Sequence, residues 1–166
     1  MANLTDTTIF GNLQVKRDTH VAGDVYGDRV FGAVFNDIAD FVNIDDDVEI
    51  IYGRAYVRDN GKVRLSKKSD KGILGIASDT FGFGVGNDTE KNQIPIAIGG
   101  WVLAEIDKVY PFATSLTYSS EGKLTKASIL TRLLYTTKIV ATFDREEKEL
   151  EWNGIKVNGR HWVKVV

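Results

Sequence analysis

The chain contains no cysteine, two prolines, two histidines and one methionine among its 166 residues. Without thiols there is no disulfide framework and no thiolate metal site, and thiol usage says nothing about compartment. The two histidines, His20 and His161, lie far apart in sequence; a catalytic histidine needs a nucleophile and an orienting acid arranged around it, and His20, beside Val21 in the repeat, is expected to face solvent. No apolar run approaches the roughly 20 residues that a membrane-spanning helix needs. The opening MANLTDTTIF lacks the basic-then-apolar layout of a signal peptide. Neither membrane insertion nor ordinary secretion is therefore expected. Charge of one sign is also missing: 21 basic residues face 23 acidic ones, scattered rather than clustered with aromatics. A nucleic-acid groove is not expected from such a pattern.

What the chain does have is a repeat. Residues 9–31, IFGNLQVKRDTHVAGDVYGDRVF, recur with a period of six. Ile9, Val15 and Val21 hold one phase. Leu13, Thr19 and Val25 hold a second, which Phe31 continues. Asn12, Asp18 and Asp24 hold a third, preceded by Gly11, Arg17 and Gly23. Residues two apart share a strand face, and Asn or Asp beside Gly suits a tight corner. A hexad of this kind marks a β-solenoid. The repeats are too few for one chain to cover itself, so three copies about a shared axis are expected to bury Ile9, Leu13, Val15, Thr19, Val21, Val25 and Phe31 against one another. An ordinary meander with an accidental period is the alternative. The common register of corners and apolar positions favours the stalk. Residues 1–8 form a polar foot, 9–32 the hexad stalk and 33–166 a head.

The head reads as all-β, a hairpin-rich sandwich or barrel-like body on a trimeric stem. Glycine is abundant (16 residues) and Val, Ile, Thr, Tyr and Phe recur without long helical patterns. Residues 33–43, AVFNDIADFVN, fit either a helical stripe or a partly buried strand. Asp45, Asp46 and Asp47 lack the alternating ligands and glycine of a calcium loop, so no metal or cofactor is expected. From Glu49 to Leu65 the pattern is strand, strand, a turn at Asp59-Asn60-Gly61, then strand. Ser66 to Lys71 is a polar loop; Ser66 and Lys67 are adjacent and point apart, so they make no dyad. Gly82, Gly84 and Gly86 alternate and leave one strand face bare, open to close approach, as at a subunit contact. Residues 93–107 read as two buried strands around Gly99-Gly100. Ser120-Glu121-Gly122 is a turn between strands; 126–143 could hold a helical turn, but its β-branched residues favour strand, which is the expectation. At the end, Asn153-Gly154 and Asn158-Gly159 mark two tight turns in a terminal meander whose last residues lie in a strand. The run 144–149, DREEKE, reads as a charged surface that blunts a sheet edge, and His161 as structural. Trp101, Trp152 and Trp162 are core candidates; a sugar-stacking role for one of them is the alternative.

The order GDVYGDRVFGAVFNDIADF, YGRAYV, GILGIASDTFGFGVG, QIPIAIGGWVLAEID, SSEGKLTKA and VNGRHWVKV resembles C-terminal modules of tailed-phage fibres, tailspikes and neck appendages, over most of residues 20–166. The resemblance implies a trimeric β-module after a β-helical shaft. It also implies a structural part of the virion surface, attached to a capsid, collar or tail protein and facing a host surface glycan. Some members are intramolecular chaperones that cut themselves loose within a Ser-Asp-aromatic-Ala-Glu-like motif. The matching positions here are Asn36, Asp37, Ile38, Ala39 and Asp40. Asn36 replaces the hydroxyl nucleophile and Asp40 shortens the Glu. Met1 also stands only a few residues before the hexads, which leaves no long shaft to assemble. On this reading the chain keeps the fold without enzymatic self-cutting. If cutting does occur, Asn36, Asp37 and Asp40 are its residues.

Overall fold

The computed structural model describes residues 12–16, 19, 21, 36–45, 48–86 and 92–166. The chain divides into two units, Met1–Val30 and Phe31–Val166. In the first, the described residues carry no regular secondary structure, and Leu13, Val15, Thr19 and Val21 are exposed in the single chain. The other expected stalk positions, Ile9, Val25 and Phe31, lie outside the described residues, as do the foot and His20.

The second unit is nearly all β. Its strands are β1 (Asp37–Asn43), β2 (Ala55–Asp59), β3 (Lys62–Leu65), β4 (Gly75–Ala77), β5 (Phe81–Val85), β6 (Gln93–Ala104), β7 (Ser115–Tyr118), β8 (Leu124–Lys126), β9 (Ala141–Arg145), β10 (Glu151–Trp152), β11 (Ile155–Lys156) and β12 (His161–Val165). One helix, α1 (Ile129–Leu134), interrupts them. The main sheet runs β3-β2-β4-β6-β12-β9-β7-β8, with β1 on the other edge of β6 and β5 parallel to β1. Among the described residues no helix is long and apolar enough to cross a membrane.

The long strand β6 organises the body. Its first half is flanked by β1 and β4, and its second half pairs with β12. Two strands were expected around Gly99-Gly100; the structure has one, bent there. Gly100 sits at φ +97°, the ladder to β1 shifts register between Ile38 and Ala39, and pairing resumes on either side. A bulge with glycine lets a strand turn a corner without ending. Beyond the bend the sheet curls until β8 meets the residues that follow β6. Leu124 donates its N–H to Glu105 O at 2.8 Å and accepts from Asp107 N at 3.0 Å. Inside this curl lies the main core, with Val102, Ala104, Leu116, Leu124, Phe143 and Val163 buried together. A second cluster, with Val42, Tyr56, Val63, Ile94 and Ile96, packs under the first half of the sheet. The third is small: Leu103, Val157 and Trp162, with Trp152 edge-on to Trp162 at 5.2 Å.

One open reading is decided and two expectations are corrected. Of the two readings for residues 33–43, the partly buried strand is the one found from Asp37 onward, with Ala39 and Val42 buried. Residues 49–54 are not strand. The Tyr56 hydroxyl captures the Ile51 N–H at 2.8 Å, and the Gly53 N–H goes to Ala77 O, so this backbone is satisfied off the ladder. Residues 129–134 are helical because Ser128 caps them, its hydroxyl accepting from Thr131 N at 3.0 Å. Leu and Arg within ILTRLL then sustain a turn and a half that the β-branched neighbours alone would not favour. The alternating glycines behave differently again. A Cβ on Gly84 would stand 2.7 Å from the Phe41 ring, so the bare face of β5 is filled by the chain's own β1. The expected turns at 59–61 and 120–122 are present, as are those at 153–154 and 158–159, and the last strand reaches Val165.

Candidate functional site at Asp37

The three residues singled out in sequence for self-cutting lie at the start of β1, and the structure separates them. Asp37 is fully buried. Asp40 is half-buried and faces Gly86 at the end of β5, where an added Cβ would lie 3.5 Å from its Oδ1. Asp37 therefore has no carboxylate partner in Asp40. Its partners come from the loop between β4 and β5. Thr80 donates its hydroxyl to Asp37 Oδ1 at 3.1 Å, and Ser78 Oγ lies 3.2 Å from Thr80 Oγ1. Thr80 also donates its N–H to Ser78 Oγ at 3.1 Å, which closes the loop on itself. Asp37 Oδ2 has no hydrogen-bond partner. Burial pushes the Asp37 carboxyl up to about 6, against hydrogen bonds from Ser78 and Thr80 that favour the ionised form. Near neutral pH it sits close to its own titration point, where a carboxyl can both give and take a proton.

The backbone around it is equally constrained. Asn36 O accepts from Trp101 N at 2.9 Å, and Asn36 Nδ2 reaches Thr80 O at 3.4 Å. Gly100 faces the Asn36–Asp37 peptide so closely that a Cβ there would stand 2.3 Å from Asn36 O and 2.8 Å from Asp37 Cα. No side chain fits at that point, and its φ of +97° also calls for glycine. The bend in β6 thus brings the Gly100 backbone close against the Asn36–Asp37 bond.

The middle residue of the loop points elsewhere. Asp79 takes a two-pronged contact from Arg160, at 2.7 and 2.9 Å. Arg160 is itself buried and spends its remaining donors on Val157 O at 3.0 Å and Lys156 O at 2.7 Å. Gly53 packs on its stem, where a Cβ would come within 2.6 Å of Arg160 Cδ. The second Asn-Gly turn, Asn158-Gly159, aims Arg160 at this loop, since both residues take positive φ (52° and 73°). So the turn that leads into β12 holds Asp79, the residue between Ser78 and Thr80.

Sequence reading missed Ser78, Thr80, Asp79 and Arg160. One signal was available: SDT is the only polar triplet between the apolar runs GILGIA and FGFGVG. The Ser66–Lys67 pair, set aside as a loop, stays apart: Ser66 is buried and Lys67 exposed. The charged run 144–149 is more than surface. Glu147 accepts from Trp162 Nε1 at 2.6 Å and from the N–H groups of Lys148 and Glu149, which hold its carboxyl below the usual range. The Glu147 N–H in turn goes to His161 Nδ1 at 3.2 Å. Of the tryptophans, Trp162 is 1% exposed and Trp101 41%. Trp152 is half-buried against Trp162.

No protein-family model matches this chain, and no curated protein matches it in sequence. Solved structures do resemble it. The pre-mature gene product 12 of bacteriophage phi29 superposes with a TM-score of 0.61 at 13% identity, over 87% of this chain and 23% of that one. The C-terminal fragment of the same gene product gives a TM-score of 0.54 at 13% identity, over 78% of this chain and 99% of the fragment. The chain spans about a quarter of the length of the pre-mature protein and nearly all of the fragment. At such identity the likeness is one of fold: these residues build the same β-module as the C-terminal piece of phage phi29 gene product 12.

Proposed function

We propose that this chain is a structural protein of a phage virion, a short homotrimeric fibre or decoration protein. Its residues 1–8 and 9–32 would attach it to a capsid, collar or tail protein, and its β-rich head projects from the particle surface. The observation that carries the reading is the fold shared with the C-terminal fragment of a phage gene product. The hexads add a reason for three copies. Leu13, Val15 and Val21 stand exposed in the single chain, each a cost in water that sister chains would remove. Sedimentation of the purified protein at micromolar concentration is the test. A species of three times the chain mass is expected, reduced to monomer by Leu13→Asp with Val21→Asp. A stable wild-type monomer would overturn the reading.

A second reading, cleavage of the Asn36–Asp37 bond, is favoured by one feature: a buried carboxyl near its titration point beside a bond that the Gly100 backbone approaches closely. In this reading water adds to the Asn36 carbonyl carbon, the bond to Asp37 N breaks, and the Asp37 carboxyl delivers the proton to the departing amine. Ser78 and Thr80 supply the hydroxyls that position 36 lacks. Intact-mass measurement during long incubation tests it. Two fragments meeting at Asn36–Asp37 are expected, lost in Asp37→Asn and retained in Asp40→Ala. Persistent full-length mass rules it out.

A further inference from the structure

We infer that the exposed face of α1 is a docking surface for an anionic lipid membrane. The helix is built inside out. At about 100° per residue, Ile129, Leu133, Leu130 and Leu134 fall on one arc of about 140°, and Thr131 and Arg132 on the remainder. Thr131 is the one half-buried residue of α1, and it lines a groove with Tyr118 and Thr125 of the β7–β8 hairpin. Arg132 lines a second groove with Phe112 and Ser115. The polar residues thus meet the body, and the apolar arc is left in water: Leu133 is 73% exposed, Ile129 69%, Leu134 64% and Leu130 60%. A helix that packs on a globular core shows the reverse arrangement.

The patch extends past the helix. Tyr135, which ends α1, and Phe112, across the Arg132 groove, are both exposed. Large apolar side chains scattered singly over a surface are ordinary, but six in one region mark a surface that meets something. The rim shows what. Lys126 lines both grooves beside the helix, Arg132 one of them, and Lys68 and Lys138 the other. Lys138 donates to Lys68 O at 3.0 Å, and the Thr137 hydroxyl donates to Lys71 O at 2.9 Å. These two bonds tie the lysine-bearing loop 66–71 to the turn that follows α1.

Charge decides the occupant. Neither groove has an acidic residue on its walls. Among the described residues the ion pairs of Lys and Arg with carboxylates include none from Lys68, Lys126, Arg132 or Lys138. The Asp70 carboxylate, on the same loop as Lys68, is gripped by Arg64 at 3.0 Å on each oxygen. The chain as a whole has a net charge of −2, so this cationic rim is a local feature. An apolar knob ringed by cations matches an anionic bilayer surface. The aliphatic and aromatic side chains enter the boundary of the acyl chains, and the ammonium and guanidinium groups meet head-group phosphates. The contact is peripheral, since six helical residues span only about 9 Å. A second copy presenting the same face is the rival occupant, and it would set one cationic rim against another. The surface is complete in a single chain, so it rests neither on the virion reading nor on trimer formation.

The test is flotation of the purified full chain with vesicles of phosphatidylglycerol and phosphatidylcholine in equal parts, set against vesicles of phosphatidylcholine alone. Binding to the anionic vesicles should exceed binding to the neutral ones at least about tenfold. It should fall by a similar factor in about 1 M salt, where the Debye length shrinks to roughly 3 Å. Leu130→Glu with Leu133→Glu should abolish flotation, and Arg132→Gln should weaken it about fivefold. All three positions are exposed, so the urea midpoint and the lipid-free sedimentation mass should stay at their wild-type values. The inference is overturned by no flotation with anionic vesicles, by equal flotation with neutral ones, or by a double variant that floats like the wild type. It is also overturned by a lower lipid-free mass in the double variant, which would assign the face to a second copy. The wild-type comparison of the two vesicle types decides even if a variant misfolds.

Discussion

Two carboxylates, Asp37 packed against the loop of residues 78–80 and Asp79 within it, come to opposite ends. Asp79 is paired with Arg160, which grips both of its oxygens and also donates to two backbone carbonyls. Asp37 has one hydroxyl donor, one oxygen with no partner and no cation, and burial drives its proton back on. The difference teaches that burial and donors act together here. Asp37 is wholly enclosed with one neutral donor, whereas Asp79 is half-buried and meets a guanidinium on both oxygens.

The largest effect expected from breaking this contrast is at the paired end. Arg160→Met removes the cation and leaves Asp79 to find water or a proton, and frees Lys156 O and Val157 O. A loss of about 3–5 kcal/mol at pH 7 is expected, read from the midpoint of urea unfolding. A loss under about 1 kcal/mol would mean the pair is replaceable by solvent.

Next is the pH dependence from Asp37. Its carboxyl has a folded value of about 6 against 3.8 for the free group. Between those two values the folded state holds the proton and the unfolded state does not. Stability therefore falls as pH rises through that window and is flat above it, by about 3 kcal/mol in all. Asp37→Asn should erase the slope. Denaturant melts at several pH values check it, and a wild-type curve that rises across the window would contradict the geometry. Glu147 works with the other sign: its value is depressed, so its contribution is present above the free group's 4.5 and is lost as pH falls below it.

A finer probe is Thr80→Val, which takes away the donor to Asp37 Oδ1 and keeps the shape. A loss of about 1–2 kcal/mol is expected, together with a shift of the Asp37 transition to higher pH, since the remaining carboxylate is less well solvated. The smallest effect is expected at Glu147→Gln, about 1 kcal/mol, because the amide still accepts from Trp162 but without charge. Quenching or recovery of Trp fluorescence on unfolding gives both numbers.

Much of the head was legible in advance. Asn153-Gly154 and Asn158-Gly159 announced turns because few other pairs accept two successive positive φ values, and the structure has 46° and 82°, then 52° and 73°. The helix at 129–134 was only half legible: a helical turn was the lesser of two readings, because a serine cap acts over three residues and its weight against a β-branched neighbourhood does not show in a window. The site at Asp37 was half legible. Asn36, Asp37 and Asp40 stood out as a motif. Which of them would be buried, and which loop would reach it, depended on pairings more than 40 residues apart.

Sequence by itself determined the class of fold and the turns, since each rests on the conformational limits of a few adjacent residues. Tertiary structure alone decided that β6 would bend rather than break, that Arg160 would take Asp79, and that the Asp37 carboxyl would be raised to about 6. Those outcomes depend on what distant strands bring within hydrogen-bonding distance, and a carboxyl's charge follows from its surroundings, not from its neighbours in the chain.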